Sequence, residues 1–375
     1  MNIEVVIASI NELSNIAAFY NQAETFKRKE VKIIIIDEGN ALIRKKNRKL
    51  LSNIDIDFYG PKERENWFAQ RFGSAYPRYL DVIPQRCHAE TSFGFLVAYE
   101  DNADVIIELD DDVFPEQGHD MLKSHLRNLL NEGGMNIGSR CKWYNTLENL
   151  LLDGQNSQVF PRGHPYLPEA RFKEDYVLEN NTKKCILNMG LWTGNPDLDA
   201  LTILYNGGLD GRCNAESKNF RRGKVVAAKG TYFSICSMNT SFVRKIVPAF
   251  YQLYMNSMGI DRFDDIWSGI LLKKIADQLG DRISLGRPLV HHEKRPRNIF
   301  NDLRSELEGM VMNEIFWKTV DSLELSGGDY SSCYREVADG LENNVNSFDR
   351  DLHKAFLIQQ VQKMRIWLEI MDKLE

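Results

Sequence analysis

The sequence has no C-x-x-C pair, no internal repeat and no apolar run near the ~20 residues needed to span a bilayer. Its six cysteines are scattered along 375 residues. Such spacing in a large chain reads as reduced core thiols and excludes a disulfide framework. Positive charge is not in excess. Lys and Arg number 47 against 53 Asp and Glu, a net charge of -6, which argues against a general nucleic-acid binder. Met1-Asn2-Ile3-Glu4-Val5 lacks the cationic start and long apolar core of an export signal. A cytosolic protein without a membrane span is therefore expected. Hydrophobic content of 43% and charged content of 27% are those of an ordinary globular chain. Its length suits one large domain with an extension, or two domains.

What the sequence does have is an abrupt boundary. The apolar run Val105-Ile106-Ile107-Glu108-Leu109 stops on Asp110-Asp111-Asp112, and Pro115 follows shortly after. Adjacent carboxylates repel unless a cation or a proton intervenes. A hard divalent cation, Mn2+ or Mg2+, removes the repulsion, because such ions take one or two carboxylates together with substrate phosphates. In an extended segment Asp110 and Asp112 point to one side and Asp111 to the other. Asp110 and Asp112 are thus the expected metal pair, with Asp111 turned away or toward sugar hydroxyls. An acidic surface turn has the same composition. The position at the carboxyl end of a buried strand favours a site, because ligands of open α/β sheets lie at that edge.

Other segments fit around this one. Residues Glu4 to Ala8 and the β-branched run Val31 to Ile36 predict buried parallel strands, with a helix from Ile16 to Phe26 between them. Asp37 closes the second run, either as a turn residue or as an acceptor for a base or ribose. A third strand is expected at Ile54 to Tyr59. A helix is expected from Ala89 to Tyr99, with Arg86 near its start, where a cation and helix amides suit a pyrophosphate. This alternation predicts a doubly wound sheet. A further helix, Met121 to Asn131, ends at Gly133-Gly134. Residues 145–185 are expected to be irregular. They include Phe160-Pro161-Arg162-Gly163-His164-Pro165-Tyr166, in which prolines stiffen Arg162 and Gly163 permits close approach to a ligand. Trp192 lies among glycines, either as a sugar-stacking platform or as a core residue. A strand and then a helix over Thr240 to Tyr254 are expected. Asp264 and Asp265 open a helix running to Leu279, as dipole-favoured acids or as catalytic carboxylates. Pro288 to Lys294 ends a strand on His291 and His292, one of which suits a metal, and on Lys294, which suits phosphate. Residues 322–375 are expected to form a helical extension after a first domain, residues 1–321, with Ser326-Gly327-Gly328 as a linker. Leu357, Val361, Met364, Leu368 and Met371 make one apolar stripe, expected to serve a homo-oligomer.

Several blocks then occur in one order: Asp110-Asp111-Asp112, Arg162-Gly163-His164-Pro165, Gly190-Leu191-Trp192 with Asn195-Pro196-Asp197, and Lys229-Gly230-Thr231. Met238-Asn239, Arg262-Phe263-Asp264-Asp265-Ile266-Trp267 and His292 follow. The set resembles the reversibly glycosylated polypeptide family, whose plant members are UDP-arabinopyranose mutases of the glycosyltransferase A-type fold. The likeness covers roughly residues 3–317. It implies an α/β nucleotide-sugar-binding fold with a central, mostly parallel sheet. It implies that Asp110 to Asp112 bind a divalent metal carrying UDP, and Asp110, Asp112 and His292 are the expected ligands. Asp37, Arg86, Asp111, Trp192, Lys229, Asn239 and Lys294 are expected on the substrate side. Arg162 stands at the arginine that relatives reversibly glycosylate, with Arg171 the nearest candidate for the second arginine that follows it. Residues 206–222 look inserted. The expected activity is a UDP-sugar mutase that exchanges pyranose and furanose rings, using Arg162, Asp264 and Asp265. A metal-dependent glycosyltransferase with the same donor site is the alternative, and a non-catalytic sugar-binding scaffold is a third reading.

Overall fold

Four short parallel strands, three of them rich in β-branched residues, form one side of the sheet. They are β1 (Ile3–Ser9), β2 (Val31–Asp37), β3 (Ile56–Tyr59) and β4 (Val105–Leu109), all parallel and ordered β3-β2-β1-β4. Val5, Val6, Ile7 and Ile33 to Ile36 are buried on both faces of the sheet, as continuous apolar runs require. The computed structural model describes residues 1–131, 133–153, 158–171, 176–180 and 183–375.

The crossovers carry α1 (Ser14–Gln22), α2 (Ala41–Leu50), α3 (Pro61–Phe72), α4 (Tyr76–Leu80) and α5 (Glu90–Glu100). Every residue of α5 from Glu90 to Tyr99 is buried. The helix lies directly on the sheet at Gly94, where a Cβ would stand 2.2 Å from Val6 Cγ1.

The remaining strands are β5 (Val113–Pro115), β6 (Met135–Ser139), β7 (Leu150–Asp153), β8 (Tyr176–Asn180), β9 (Leu187–Gly194), β10 (Glu216–Phe220), β11 (Val225–Ala227), β12 (Asn239–Val243) and β13 (Ile283–His292). They extend the sheet through β4-β12-β9-β13-β11-β6-β8, and β12 runs antiparallel between β4 and β9. The remaining helices are α6 (Met121–Leu130), α7 (Pro168–Arg171), α8 (Ala200–Tyr205), α9 (Asp264–Leu279), α10 (Ile299–Ser322), α11 (Tyr330–Asn343) and α12 (Asp351–Leu374). No helix among the described residues is long and apolar enough to cross a membrane.

Three expectations change here. The helix expected from Thr240 to Tyr254 is β12 followed by a 3-10 turn, Arg244–Ala249. Pro248 removes an amide donor inside that segment, and β12 gains two strand partners instead. The region from 145 to 185 is not wholly irregular, since it contains β7, α7 and β8. Parts of it, residues 154–157, 172–175 and 181–182, lie outside the described residues. The stripe of Leu357, Val361, Met364, Leu368 and Met371 is at most 1% exposed within its own chain, so it leaves no surface for a second copy. Between these residues Trp367 stacks on Tyr251 at 5.2 Å and donates from Nε1 to the Val247 carbonyl at 3.3 Å. Each stripe side chain contributes roughly 1.5–3 kcal/mol by leaving water.

Candidate active site

β1, β4 and β13 all end at one edge, and a cleft of about 460 Å3 opens there. Three kinds of element converge on it. The acidic triplet follows β4, α9 presents Asp264 and Asp265 in its first turn, and β13 delivers His292 and Lys294.

The triplet divides its work. The Asp111 carboxylate accepts hydrogen bonds from Ser9 Oγ, from Asn11 Nδ2 at 2.9 Å and from Arg295 Nη1 at 2.6 Å. It therefore ties the loop after β1 to the segment after β13. Asp112 lies 3.7 Å from His292 Nε2. Burial pushes its carboxyl up, but the hydrogen bond and charge of His292, with Arg295 and Arg297, outweigh burial and hold it below the usual range. Asp110 goes the other way. Burial, opposed by His88 and reinforced by Asp112, Asp111 and Asp265, raises it to about 7.

His292 is oriented from behind. Its Nδ1 donates to the Asn195 carbonyl at 2.6 Å, which fixes the ring and turns Nε2 toward Asp112. This is the ring orientation a metal ligand needs. Among the described residues, however, no three His, Cys, Asp or Glu side chains form a ready metal cage. The expected three-residue set of Asp110, Asp112 and His292 is thus not pre-assembled. Asp110 follows β4, whereas His292 meets Asp112 across the β5–β13 pairing. The chemistry of the pair, a carboxylate with an imidazole nitrogen, fits an ion whose other ligands are phosphates and water.

Arg162 sits in the floor, 8% exposed. Its Nε and Nη2 donate to Asp197 at 3.3 and 3.1 Å, and its Nη1 and Nη2 donate to Asp265 at 3.2 and 3.0 Å. Nη1 also donates to the Arg262 carbonyl. All faces of the guanidinium are engaged. Burial opposes its charge, but Asp197 and Asp265 hold it cationic well beyond the ordinary arginine range. Gly163 permits a close approach, yet to protein rather than ligand. With φ at +81°, its missing Cβ would lie 2.5 Å from Ile266 Cγ2, which seats the loop on α9.

Asp264 differs from its neighbour. Its Oδ2 is buried with no hydrogen-bond partner and lies 3.6 Å from His88 Nδ1. Burial, against the pull of His88, raises the Asp264 carboxyl to about 6. The Asp264 charge in turn raises the His88 imidazole to about 9. Lys294 is 4% exposed, and burial together with the Arg297 cation lowers it to about 8.

The cleft therefore gathers Arg86, Asp110, Asp111, Asp112, Arg162, Asp264, Asp265, His292 and Lys294. Four expected residues lie elsewhere. Trp192 is 1% exposed on β9 and is a core residue, not a sugar platform. Asn239 is fully buried, bonded to His125 at 2.9 Å and to the Leu191 and Pro288 carbonyls. It fastens β12 to its neighbours. Asp37 accepts from Asn47 and from the Gly39 amide, each at 3.1 Å, and closes its own turn. Lys229 is exposed after β11 and does not line the cleft. Arg171 also stays outside, stacked over Tyr166 at 4.0 Å and bonded to the Pro165 carbonyl at 2.7 Å. The residues that sequence reasoning missed are His88, Asp197, Arg295 and Arg297. The basic run Lys294-Arg295-Pro296-Arg297 was the available signal for the last two, and proximity to Arg86 for His88.

Strand order and cleft together define a class: an α/β protein with a charged cleft at the carboxyl edge of its sheet. The chain belongs to the reversibly glycosylated polypeptide family, whose model matches residues 1–375. It is similar to a probable UDP-arabinopyranose mutase 1 of Pisum sativum, with 28% identity over 75% of this chain and 70% of that protein. UDP-arabinopyranose mutase 1 of Arabidopsis thaliana is 28% identical over 75% and 72%. Among solved structures, a glucosyl-3-phosphoglycerate synthase from Mycobacterium tuberculosis, in complex with Mn2+, UDP and phosphoglyceric acid, aligns with a TM-score of 0.43. Identity there is 13%, over 87% of this chain and 80% of that one.

Proposed function

We propose that this protein is a UDP-sugar mutase that interconverts pyranose and furanose forms of a UDP-sugar. One observation carries the proposal: a cleft that pairs a diphosphate-sized cationic rim with a carboxylic acid titrating near neutrality. Arg86, His88, Lys294, Arg295 and Arg297 line the rim, and Asp264, raised to about 6 by burial, lies 3.6 Å from His88.

Asp112 and His292, with Asp110 beside them, would hold a divalent ion. When bound, the ion supplies charge neutralisation at the diphosphate. Lys294 and Arg295 meet the negative charge that builds on the leaving diphosphate as the anomeric bond breaks. Asp197 is held ionised by Arg162 and sets a negative potential under the sugar, which favours a cationic anomeric carbon. A change of ring size moves a proton from a sugar hydroxyl to the ring oxygen. Asp264 is suited to that transfer, since its carboxyl exchanges a proton near the working pH and His88 stands next to it. The diphosphate then recaptures the rearranged sugar.

Arg162 acts here as a positioning residue. Its N–H groups are occupied, so glycosylation of Arg162 requires the Asp197–Arg162–Asp265 clamp to open and a proton to leave. The same observation favours a second reading, a metal-dependent glycosyltransferase in which an external hydroxyl takes the sugar. The deciding experiment incubates the full chain with UDP-arabinopyranose and other UDP-sugars, with Mn2+ and without an acceptor. Furanose product supports the mutase. Product only when an acceptor is added supports the transferase, and inertness toward every UDP-sugar refutes both.

A further inference from the structure

The chain entering α9 carries backbone that its residue types seldom adopt. Asn256, Met258 and Arg262 have φ at +61°, +56° and +66°. A residue with a Cβ is crowded in this left-handed region, and such residues gather at ligand clamps, where the surrounding structure enforces them. Asn256 and Arg262 line the cleft.

Three bonds hold Arg262 in that conformation. Its amide donates to Asp261 Oδ1 at 2.9 Å. Its carbonyl accepts from Arg162 Nη1. Its Nε donates to Glu306 Oε1 at 2.6 Å. Glu306 lies on α10, is 1% exposed and does not line the cleft. Its other oxygen accepts from the Ala200 amide at 2.6 Å. Ala200 follows closely on Asp197, the carboxylate partner of Arg162. One buried carboxylate thus braces both the residue that gives Arg162 a carbonyl and the segment that gives it a carboxylate.

The far end of the guanidinium is left open. Nη1 and Nη2 of Arg262 donate to no acceptor among the described residues, and the side chain keeps 19% exposure. Lys294 Nζ, on the same cleft, also meets no acceptor among the described residues. The nearby carboxylates are committed elsewhere. Asp302 pairs with Arg297 at 2.8 Å, and Asp197 pairs with Arg162 at 3.1 Å. Burial and then neighbouring cations lower both Lys294 and Arg297, and Arg262 is one of those cations in each case. This wall therefore holds three cations in mutual repulsion, with donors of two of them unused. A bound anion relieves that repulsion.

We propose that Arg262 is a substrate-binding residue, whose two Nη groups hold phosphoryl oxygens beside Lys294, and that Glu306 is the positioning residue that aims it. A guanidinium braced at Nε presents its remaining nitrogens as a planar fork, and such forks match phosphate oxygens in pairs. The brace lowers the ordering cost of binding, because the long side chain is already fixed before the ligand arrives. The inference rests on the reading of the cleft as a nucleotide-sugar site. It adds a donor from the α9 side to those that β13 and the segment after it supply.

The test titrates the full chain and its variants with UDP and with uridine by calorimetry, at one fixed Mn2+ concentration. Arg262→Gln should weaken UDP about tenfold or more, the size of a lost charge-assisted bond, and leave uridine unchanged. Arg262→Lys should lose nearly as much, because one ammonium cannot both bond Glu306 and present a fork. It keeps a cation beside Glu306, so it carries the test if thermal melting shows Arg262→Gln unfolded. Glu306→Gln keeps the side-chain shape, but its single carbonyl oxygen cannot accept from both Arg262 and Ala200. It should weaken UDP several-fold with uridine unchanged, and Arg262→Gln should add little in that background. Equal weakening of UDP and uridine, a lower melting point with UDP affinity intact, or losses that simply add make Glu306 merely structural and overturn its positioning role. Parental UDP affinity in Arg262→Gln or in Arg262→Lys overturns the binding role and leaves the nucleotide-sugar reading standing. A parent chain that binds UDP no better than uridine overturns both.

Discussion

Removal of Arg162 tests the electrostatic account of the cleft most directly. In the native protein one guanidinium serves two buried carboxylates, Asp197 at 7% and Asp265 at 3% exposure. Arg162→Ala removes that partner. Removing one partner of a buried pair costs about 3–5 kcal/mol, because the remaining charge stays desolvated. The sign of the pH dependence follows. Arg162 holds Asp197 well below its unfolded value, although burial alone would raise it. The native clamp is therefore stabilising above the unfolded carboxylate pKa, and that stability is lost as pH falls through the lower folded value. In the variant, Lys294 and Arg262 are the cations left to oppose burial, and the Asp197 carboxyl rises. The stability that the parent gains above the unfolded carboxylate pKa is thereby reduced in the variant. The gap between parent and variant should widen from pH 5 to pH 8. Urea unfolding at both pH values measures it, and Asp197→Asn added to Arg162→Ala should recover part of the loss at pH 8. A gap under about 1 kcal/mol that does not change with pH would refute the clamp, since that is the size of an exposed pair.

Asp112→Ala and His292→Ala should each abolish Mn2+-dependent UDP binding while leaving the fold intact; calorimetry with and without chelator reads this, and unchanged affinity removes the metal assignment. Trp367→Ala should destabilise the chain by about 3–5 kcal/mol, because the stacked contact with Tyr251 and the bond to Val247 are lost in a closed core. Truncation before Asp349 should expose the core that α12 covers and give aggregates in light scattering, not a smaller folded species. Glu4 is 4% exposed, and burial, reinforced by the Asp101 charge, raises its carboxyl from 4.5 to about 7. Stability from this group is complete below pH 4.5 and is lost as pH rises to 7, so Glu4→Gln should raise the melting point at pH 8 and leave it unchanged at pH 4.

Much of this protein was determined locally. Continuous β-branched runs can be satisfied only by burial on both faces, so β1, β2 and β4 were legible from composition alone. The switch from Leu109 to Asp110 marked the carboxyl edge of the sheet, and Asp264, Asp265 and His292 followed from the same logic of element ends. A heptad-like stripe in α12 announced one buried face. The tertiary structure decided what each group meets. The stripe fixed burial but not its partner, and Tyr251 and Val247 of the same chain supply it. Trp192 and Asn239 have the composition of ligand-binding residues, but β9 and β12 lie in the middle of the sheet, where no ligand reaches. Arg162 looked like a free, rigid cation because Asp197 and Asp265 lie 35 and 103 residues away in sequence. His88 and Asp264 are likewise brought together only by the fold. Side-chain pattern reports which face an element buries, since that depends on near neighbours. Charge pairing depends on distance in space, and only the folded chain sets that.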